Sequence, residues 1–268
     1  VVTNIGVSHI ENLGSREGIC REKMQITGNF GPENVAVLNG DEPLLAAYRG
    51  NTRFRTVFYG MGPENDYRAE QLRLEDGHTR FTAVTPQGSL EVSLQVPGQH
   101  NVMNALAALA AAGQLGIPAQ EAAEKLAQYG GFARRLQIFP QNGVTIIDDS
   151  YNASPESMRA ALQVLSDQRA EGRRAAVLAD MKELGPDSPA FHRQVGEFAA
   201  QCPVDRFFLV GDLVRHLGEA LEAAGKTVEY FPGNPEAAAA VKAWMLPGDV
   251  ILFKGSNSMR LGEIIQEL

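Results

Sequence analysis

From residue 140 onward, short apolar runs alternate with longer stretches in which apolar positions recur every third or fourth residue. The runs "VTIIDDS", "RAAVLAD", "RFFLVG", "TVEYF" and "DVILFKG" read as strands; "PESMRAALQVLSDQ", "FHRQVGEFAAQ", "DLVRHLGEALEAAG", "PEAAAAVKAWM" and "RLGEIIQEL" read as helices. Strands alternating with helices of about 10–14 residues predict an α/β, mostly parallel, doubly wound sheet. Residues 66–97 differ: "TRFTAV" and "LEVSLQV" alternate polar with apolar, and "EDGH" and "PQG" are turn signals. That pattern predicts an antiparallel hairpin or meander. "HNVMNALAALAAAGQLG" and "PAQEAAEKLAQYGG" follow as two helices, each stopped by glycine. Residues 1–60 hold short β-like runs ("VVTNIGV", "VAVLN", "RTVFYG") and a polar segment, Glu11 to Gln25, suited to a helix. The stretch from Phe132 to Gly143 has the glycine and proline of a linker.

Doubly wound sheets bind ligands at the carboxyl ends of their strands. Here those ends are polar: Asp148-Asp149, Asp180, Gly211-Asp212 and Lys254-Gly255-Ser256. After the first of them, "SPES" opens a helix with proline at its first position.

The 268 residues are 44% hydrophobic and carry a formal charge of −8, enough apolar matter for a sizeable core. The negative balance argues against non-specific binding to nucleic acid or an anionic membrane. No apolar run approaches the roughly 18 residues of a membrane span. Cys20 and Cys202 form no C-x-x-C pattern and read as reduced thiols of a cytoplasmic protein. The chain opens on Val1 inside an expected strand, so it is expected to be part of a longer enzyme.

"DDSYNASPESM", with "PGQHNVMNALAA" before it and "LADMKELGPDSPAFHRQVG" and "LFKGSNSMRLGEII" after it, resembles the Mur ligases of peptidoglycan synthesis. The resemblance runs in order over nearly the whole chain. It is greatest to the branch that joins D-alanyl-D-alanine to UDP-N-acetylmuramoyl-tripeptide. It implies that residues 1–136 are the C-terminal part of a central ATP-binding domain and that 137–268 are a Rossmann-like ligase domain. The family's phosphate-cradling G-x-x-x-x-G-K-[ST] loop is absent from these residues.

The reaction implied is an ADP-forming amide ligation. ATP phosphorylates a substrate carboxylate, and the amine of the dipeptide then displaces phosphate from the acyl phosphate. ATP and Mg2+ are the expected cofactors, the two peptidoglycan precursors the expected substrates, and a monomer the expected state. In similar ligases the histidine at His9 binds magnesium and the lysine at Lys23 is carbamylated, which makes it an oxygen ligand; a plain ammonium is only a donor. The alternatives are a capping histidine and a solvated lysine.

Asn101 and Asn104 share a helix face three residues apart, and the resemblance places adenine there, with Asn104 the stronger candidate. A helix N-cap is the alternative for Asn101. Of Arg134 and Arg135, the family's "R-L" points to Arg135 as the arginine that reaches the nucleotide. Asp149 is the expected acceptor for the ribose hydroxyls, Asp148 a turn cap, and Tyr151 and Asn152 cleft-lining residues. For the dipeptide the strand ends offer Asp180, Glu183, His192, Lys254 and Ser256. The chain departs from the family pattern at Asn257, commonly arginine, and at Leu261-Gly262 in place of Met-Glu, with Glu263 next. Two rival readings remain: another amide ligase of this architecture, Mur or folylpolyglutamate-type, and a non-catalytic nucleotide-binding module.

Overall fold

The computed structural model describes residues 1–7, 10–75 and 78–268. In chain order the first elements are α1 (Ile10–Leu13), α2 (Arg16–Met24), β1 (Val35–Asn39), α3 (Pro43–Ala46), β2 (Arg55–Gly60), β3 (Tyr67–Glu75), β4 (His78–Thr85), β5 (Gly88–Leu94), α4 (Gln99–Gln114) and α5 (Ala119–Leu126). There follow β6 (Gln137–Gln141), β7 (Val144–Asp149), α6 (Pro155–Asp167), β8 (Arg174–Ala179), α7 (Ser188–Ala200), β9 (Arg206–Val210), α8 (Arg215–Ala223), β10 (Val228–Phe231), α9 (Asn234–Trp244), β11 (Val250–Lys254) and α10 (Gly262–Glu267). They form two compact units. Val1–Gly6 with Leu13–Gly130 make the first, and Val7–Asn12 with Gly131–Leu268 the second.

The first unit holds a five-stranded sheet in the order β1-β2-β3-β4-β5. Its first two pairings are parallel and its last two antiparallel, so the alternating segment is the expected meander. The "EDGH" turn falls partly on Asp76 and Gly77, outside the described residues. Helix α4 buries Val102, Ala105, Leu106, Leu109 and Ala110, the stripe expected of an amphipathic helix, against Val37, Tyr67, Phe81 and Val92 of the sheet.

The N-terminal run does not form the expected strand. Only Val2 bridges, to Leu38 of β1. The next three carbonyls are taken by side chains instead of a ladder. Thr3 O accepts from Asn39 Nδ2 at 2.9 Å, Asn4 O from Lys23 Nζ at 2.9 Å, and Ile5 O from Arg16 Nε at 3.0 Å.

The second unit holds a six-stranded sheet in the order β10-β9-β8-β11-β7-β6, parallel except for β6 on β7. Paired apolar residues in the central strands send one side chain to each face. Ile147, Leu178 and Leu252 pack under α6, α7 and α8, while Ile146, Val177 and Ile251 pack under α9 and α10. The expected doubly wound layers are therefore present.

Part of the expected linker is strand. Gln137–Gln141 pairs antiparallel with β7 across an Asn142-Gly143 turn, whose φ values are 52° and 80°. Both are left-handed, as a two-residue hairpin turn requires, and Asn-Gly is the pair best suited to it. Pro140 is tolerated because β6 is an edge strand.

Candidate functional site

In the second unit β7 leads to α6 on one face of the sheet and β11 leads to α10 on the other. These two strands are neighbours, so the loops that follow them diverge and leave a crevice, the usual ligand position in such sheets. A cavity of about 360 Å³ lies beside it, lined by Arg134, Asn257, Arg260, Gly262, Glu263 and Gln266.

At the strand ends, Lys254 Nζ donates to Asp149 Oδ2 at 2.6 Å and to the carbonyl of Asn152 at 2.9 Å. Asp149 Oδ1 accepts the Leu136 amide at 3.1 Å. Both side chains are buried. Burial pushes the Asp149 carboxyl up and the Lys254 ammonium down from their ordinary ranges, and the opposite charge alongside works against both shifts. Asp148 Oδ1 accepts from both the amide (3.1 Å) and the hydroxyl (2.6 Å) of Ser150, the turn role expected of one of the two acids. Ser154 and Ser157 then cap α6 reciprocally, with Pro155 at its first position.

The three residues before β6 are fastened one by one to the end of β7 and the loop after it. Arg134 donates to Ser150 through Nε (Oγ, 3.2 Å) and Nη2 (carbonyl, 2.9 Å), and Nη2 also reaches Asn257 Oδ1 at 3.2 Å. The Tyr151 amide donates to Arg134 O at 3.1 Å. The Arg135 guanidinium stacks on Tyr151, 4.0 Å from the ring centroid, and both side chains are exposed. Leu136 is tied to Asp149, as described. Sequence reasoning selected Arg135 and passed over Arg134 and Ser150; the Arg-Arg doublet and the unusual Asn257 were the available signals.

The side chains of Asp180, Ser256 and His192 are taken up by residues around them. Asp180 is buried; its Oδ1 accepts the Val214 amide at 2.8 Å and its Oδ2 pairs with Lys182 Nζ at 2.7 Å. Ser256 Oγ accepts the Lys182 amide at 2.8 Å. His192 is fully buried: Nδ1 lies 2.8 Å from Ser188 O and Nε2 accepts the Met181 amide at 3.0 Å. That pairing requires the neutral tautomer with the proton on Nδ1, and burial pushes its pKa down. Of this cluster, Lys182 is the side chain that reaches solvent.

In the first unit Asn104 is exposed on α4. Asn101 is not the N-cap; Gly98 is, at a φ of 101° that suits glycine. Asn101 lies inside the first turn and donates to Pro97 O at 2.8 Å. Lys23 stands on α2 with its amine on Asn4 O. An ammonium only donates, so the magnesium role expected of Lys23 belongs to its carbamylated form; among the described residues no three His, Cys, Asp or Glu side chains cluster to hold a metal. His9 lies outside the described residues. No helix among the described residues is long and apolar enough to cross a membrane.

Residues 1–112 match the Mur ligase middle domain, and residues 134–257 match the Mur ligase glutamate ligase domain. Over the whole chain it is 38% identical to the UDP-N-acetylmuramoyl-tripeptide–D-alanyl-D-alanine ligase of Bacillus subtilis (strain 168), of which it spans 58%. Crystal structure I of MurF from Acinetobacter baumannii superposes with a TM-score of 0.89 at 31% identity, covering all of this chain and 59% of that one. MurF ligase from Thermotoga maritima, solved in complex with ADP, gives 0.85 at 25% identity, covering 99% of this chain and 61% of that one. The chain thus spans a little under three fifths of the curated relative.

Proposed function

The chain belongs to the Mur ligase family, carrying its middle and glutamate ligase domains, and from that premise we propose that it is part of an ATP-dependent ligase joining D-alanyl-D-alanine to UDP-N-acetylmuramoyl-tripeptide. The observation that carries this reading is the crevice at the ends of β7 and β11, with its arginines and stacked tyrosine, in a chain alignable end to end with ligases of that name. A cytoplasmic setting follows from the dependence on ATP.

The residues divide the work by what each leaves exposed. Asn104 offers a donor and an acceptor from one face of α4, which suits an adenine edge. Arg135, stacked on Tyr151, presents an always-charged planar fork to phosphate oxygens. The Asp149–Lys254 pair, with Asn152 on the same ammonium, holds the loop after β7 in the shape that faces the ligand. Lys182, whose side chain is partly exposed while its amine pairs with Asp180, is the cation nearest solvent for the dipeptide's carboxylate. Preorganised charge of this kind stabilises the phosphates and the acyl phosphate. Since Lys23 does not fit magnesium as an amine, no step is routed through that ion.

The test uses the full-length parent enzyme. With UDP-N-acetylmuramoyl-tripeptide, ATP and D-alanyl-D-alanine all present, phosphate and the joined pentapeptide precursor should form one for one, read by mass spectrometry. Omitting the dipeptide should stop turnover. Steady ADP formation without a joined product would overturn the reading.

A further inference from the structure

Arg134 has a left-handed backbone, φ 62°, and so does Leu136, φ 50°. Neither is glycine, and such conformations persist only where the surroundings over-determine them. Here the surroundings are the end of β7 and the loop after it, bonded to residues 134, 135 and 136 in turn. The Arg134 guanidinium also reaches past that loop to Asn257, so one side chain joins the segments that follow β7 and β11. A Cβ on Gly262 would stand 3.9 Å from both Arg134 Nε and Ser150 Oγ, in ordinary van der Waals contact, so Gly262 borders the guanidinium. Asn257 and Gly262 both lie beside this arginine.

We propose that Arg134 is a positioning residue for the nucleotide. It locks the loops after β7 and β11 together and thereby fixes the exposed Arg135–Tyr151 stack. It does so from the chain segment before β6, through Asn257 of the segment after β11. Arg134 acts through its neighbours: its carbonyl holds the Tyr151 amide, and its fork holds Ser150 directly before that tyrosine. The proposal rests on the ligase reading above, because it names ATP as the ligand of the stack.

The experiment compares Arg134→Ala, Arg134→Lys, Asn257→Arg and the double variant Arg134→Ala/Asn257→Arg in the full-length parent enzyme. It measures kcat, KM for ATP, Tm, and hydrogen exchange at the Tyr151 amide. Loss of two or three charge-assisted hydrogen bonds predicts an ATP KM about tenfold higher in Arg134→Ala. The kcat should stay within about threefold and Tyr151 should exchange faster. Arg134→Lys should fall between, since an ammonium lacks the planar fork. Asn257→Arg alone should also raise KM, because it sets two guanidinium groups together. The double variant should return KM to within about threefold of the parent, a coupling that independent sites do not show. An unchanged KM in Arg134→Ala, a fall in Tm with KM unmoved, or simple additivity in the double variant would overturn the proposal. If the parent joins no dipeptide, the ligase reading falls instead, and the exchange rate at Tyr151 still decides whether Arg134 holds it.

Discussion

Lys254 and Asp149 are register partners on adjacent parallel strands, and their side chains meet at 2.6 Å with Lys254 only 1% exposed. Neither charge has water to fall back on. Removing one partner of such a pair strands the other, at a cost of about 3–5 kcal/mol. Lys254→Met should lose about that much in urea unfolding. Asp149→Asn/Lys254→Met should lose clearly less than the two single changes added together, because the asparagine still accepts the Leu136 amide and no charge is left alone. Additive losses would show that the pair is not coupled.

His192 gives the second unit a pH dependence whose sign can be worked out. Burial depresses its pKa, so in the folded protein it stays neutral where the unfolded chain, near 6.5, already takes up a proton. The unfolded state therefore binds more protons in that window. Stability is complete above about pH 6.5 and falls as the pH drops toward the depressed value, by at most about 1.4 kcal/mol per pH unit. Chemical unfolding at pH 7.5, 6.5 and 5.5 should show this slope in the parent and a flatter one in His192→Gln, which does not titrate. Equal slopes would mean that other groups set the pH dependence.

What the sequence made legible follows from the range of each interaction. The doubly wound sheet was readable because each central strand carries adjacent apolar residues for two covered faces, as Ile146-Ile147 and Ile251-Leu252 do. Strand β6 was hidden because Pro140 and the glycines around it have the composition of a linker. Only the Asn142-Gly143 turn distinguishes it. The N-terminal strand was over-read, since its pattern says nothing about Lys23, Arg16 and Asn39 competing for its carbonyls. At the site, residue type pointed to the right loops but could not say which charges are spent internally. Asp149, Asp180 and Lys254 hold one another or the backbone, and Arg134 gained its role from Asn257, 123 positions away.

Gly211 has a φ of 116°, and a Cβ built on it would lie 2.6 Å from Asp180 Oδ1. Gly225 is also left-handed, φ 74°, but its Cβ would meet nothing within 4 Å. The two glycines differ both in backbone strain and in what a side chain would meet. Gly225→Ala should cost about 1 kcal/mol from strain alone. Gly211→Ala should cost more, about 2–3 kcal/mol, because φ 116° lies outside the left-handed well open to alanine and because the Asp180 carboxylate must leave the Val214 amide and Lys182. Equal losses in Tm or urea midpoint would mean that Asp180 yields freely and holds nothing in place.

Asn101 and Asn104 share a face of α4 but differ in what occupies them, and that difference separates a structural residue from a ligand contact. Asn101 already donates to Pro97 O at 2.8 Å, whereas Asn104 is exposed. Losing one hydrogen bond predicts that Asn101→Ala costs about 1 kcal/mol of stability. An exposed substitution predicts that Asn104→Ala stays within about 0.5 kcal/mol of the parent. Calorimetric titration of the full-length enzyme with ADP should show the reverse ranking. Asn104→Ala should weaken binding about fivefold or more, through loss of a polar contact to the base, and Asn101→Ala should weaken it less. Two unchanged affinities would mean that α4 takes no part in binding the nucleotide. A larger loss for Asn101→Ala would mean that the first turn of α4, held by its bond to Pro97, does the recognising through its backbone.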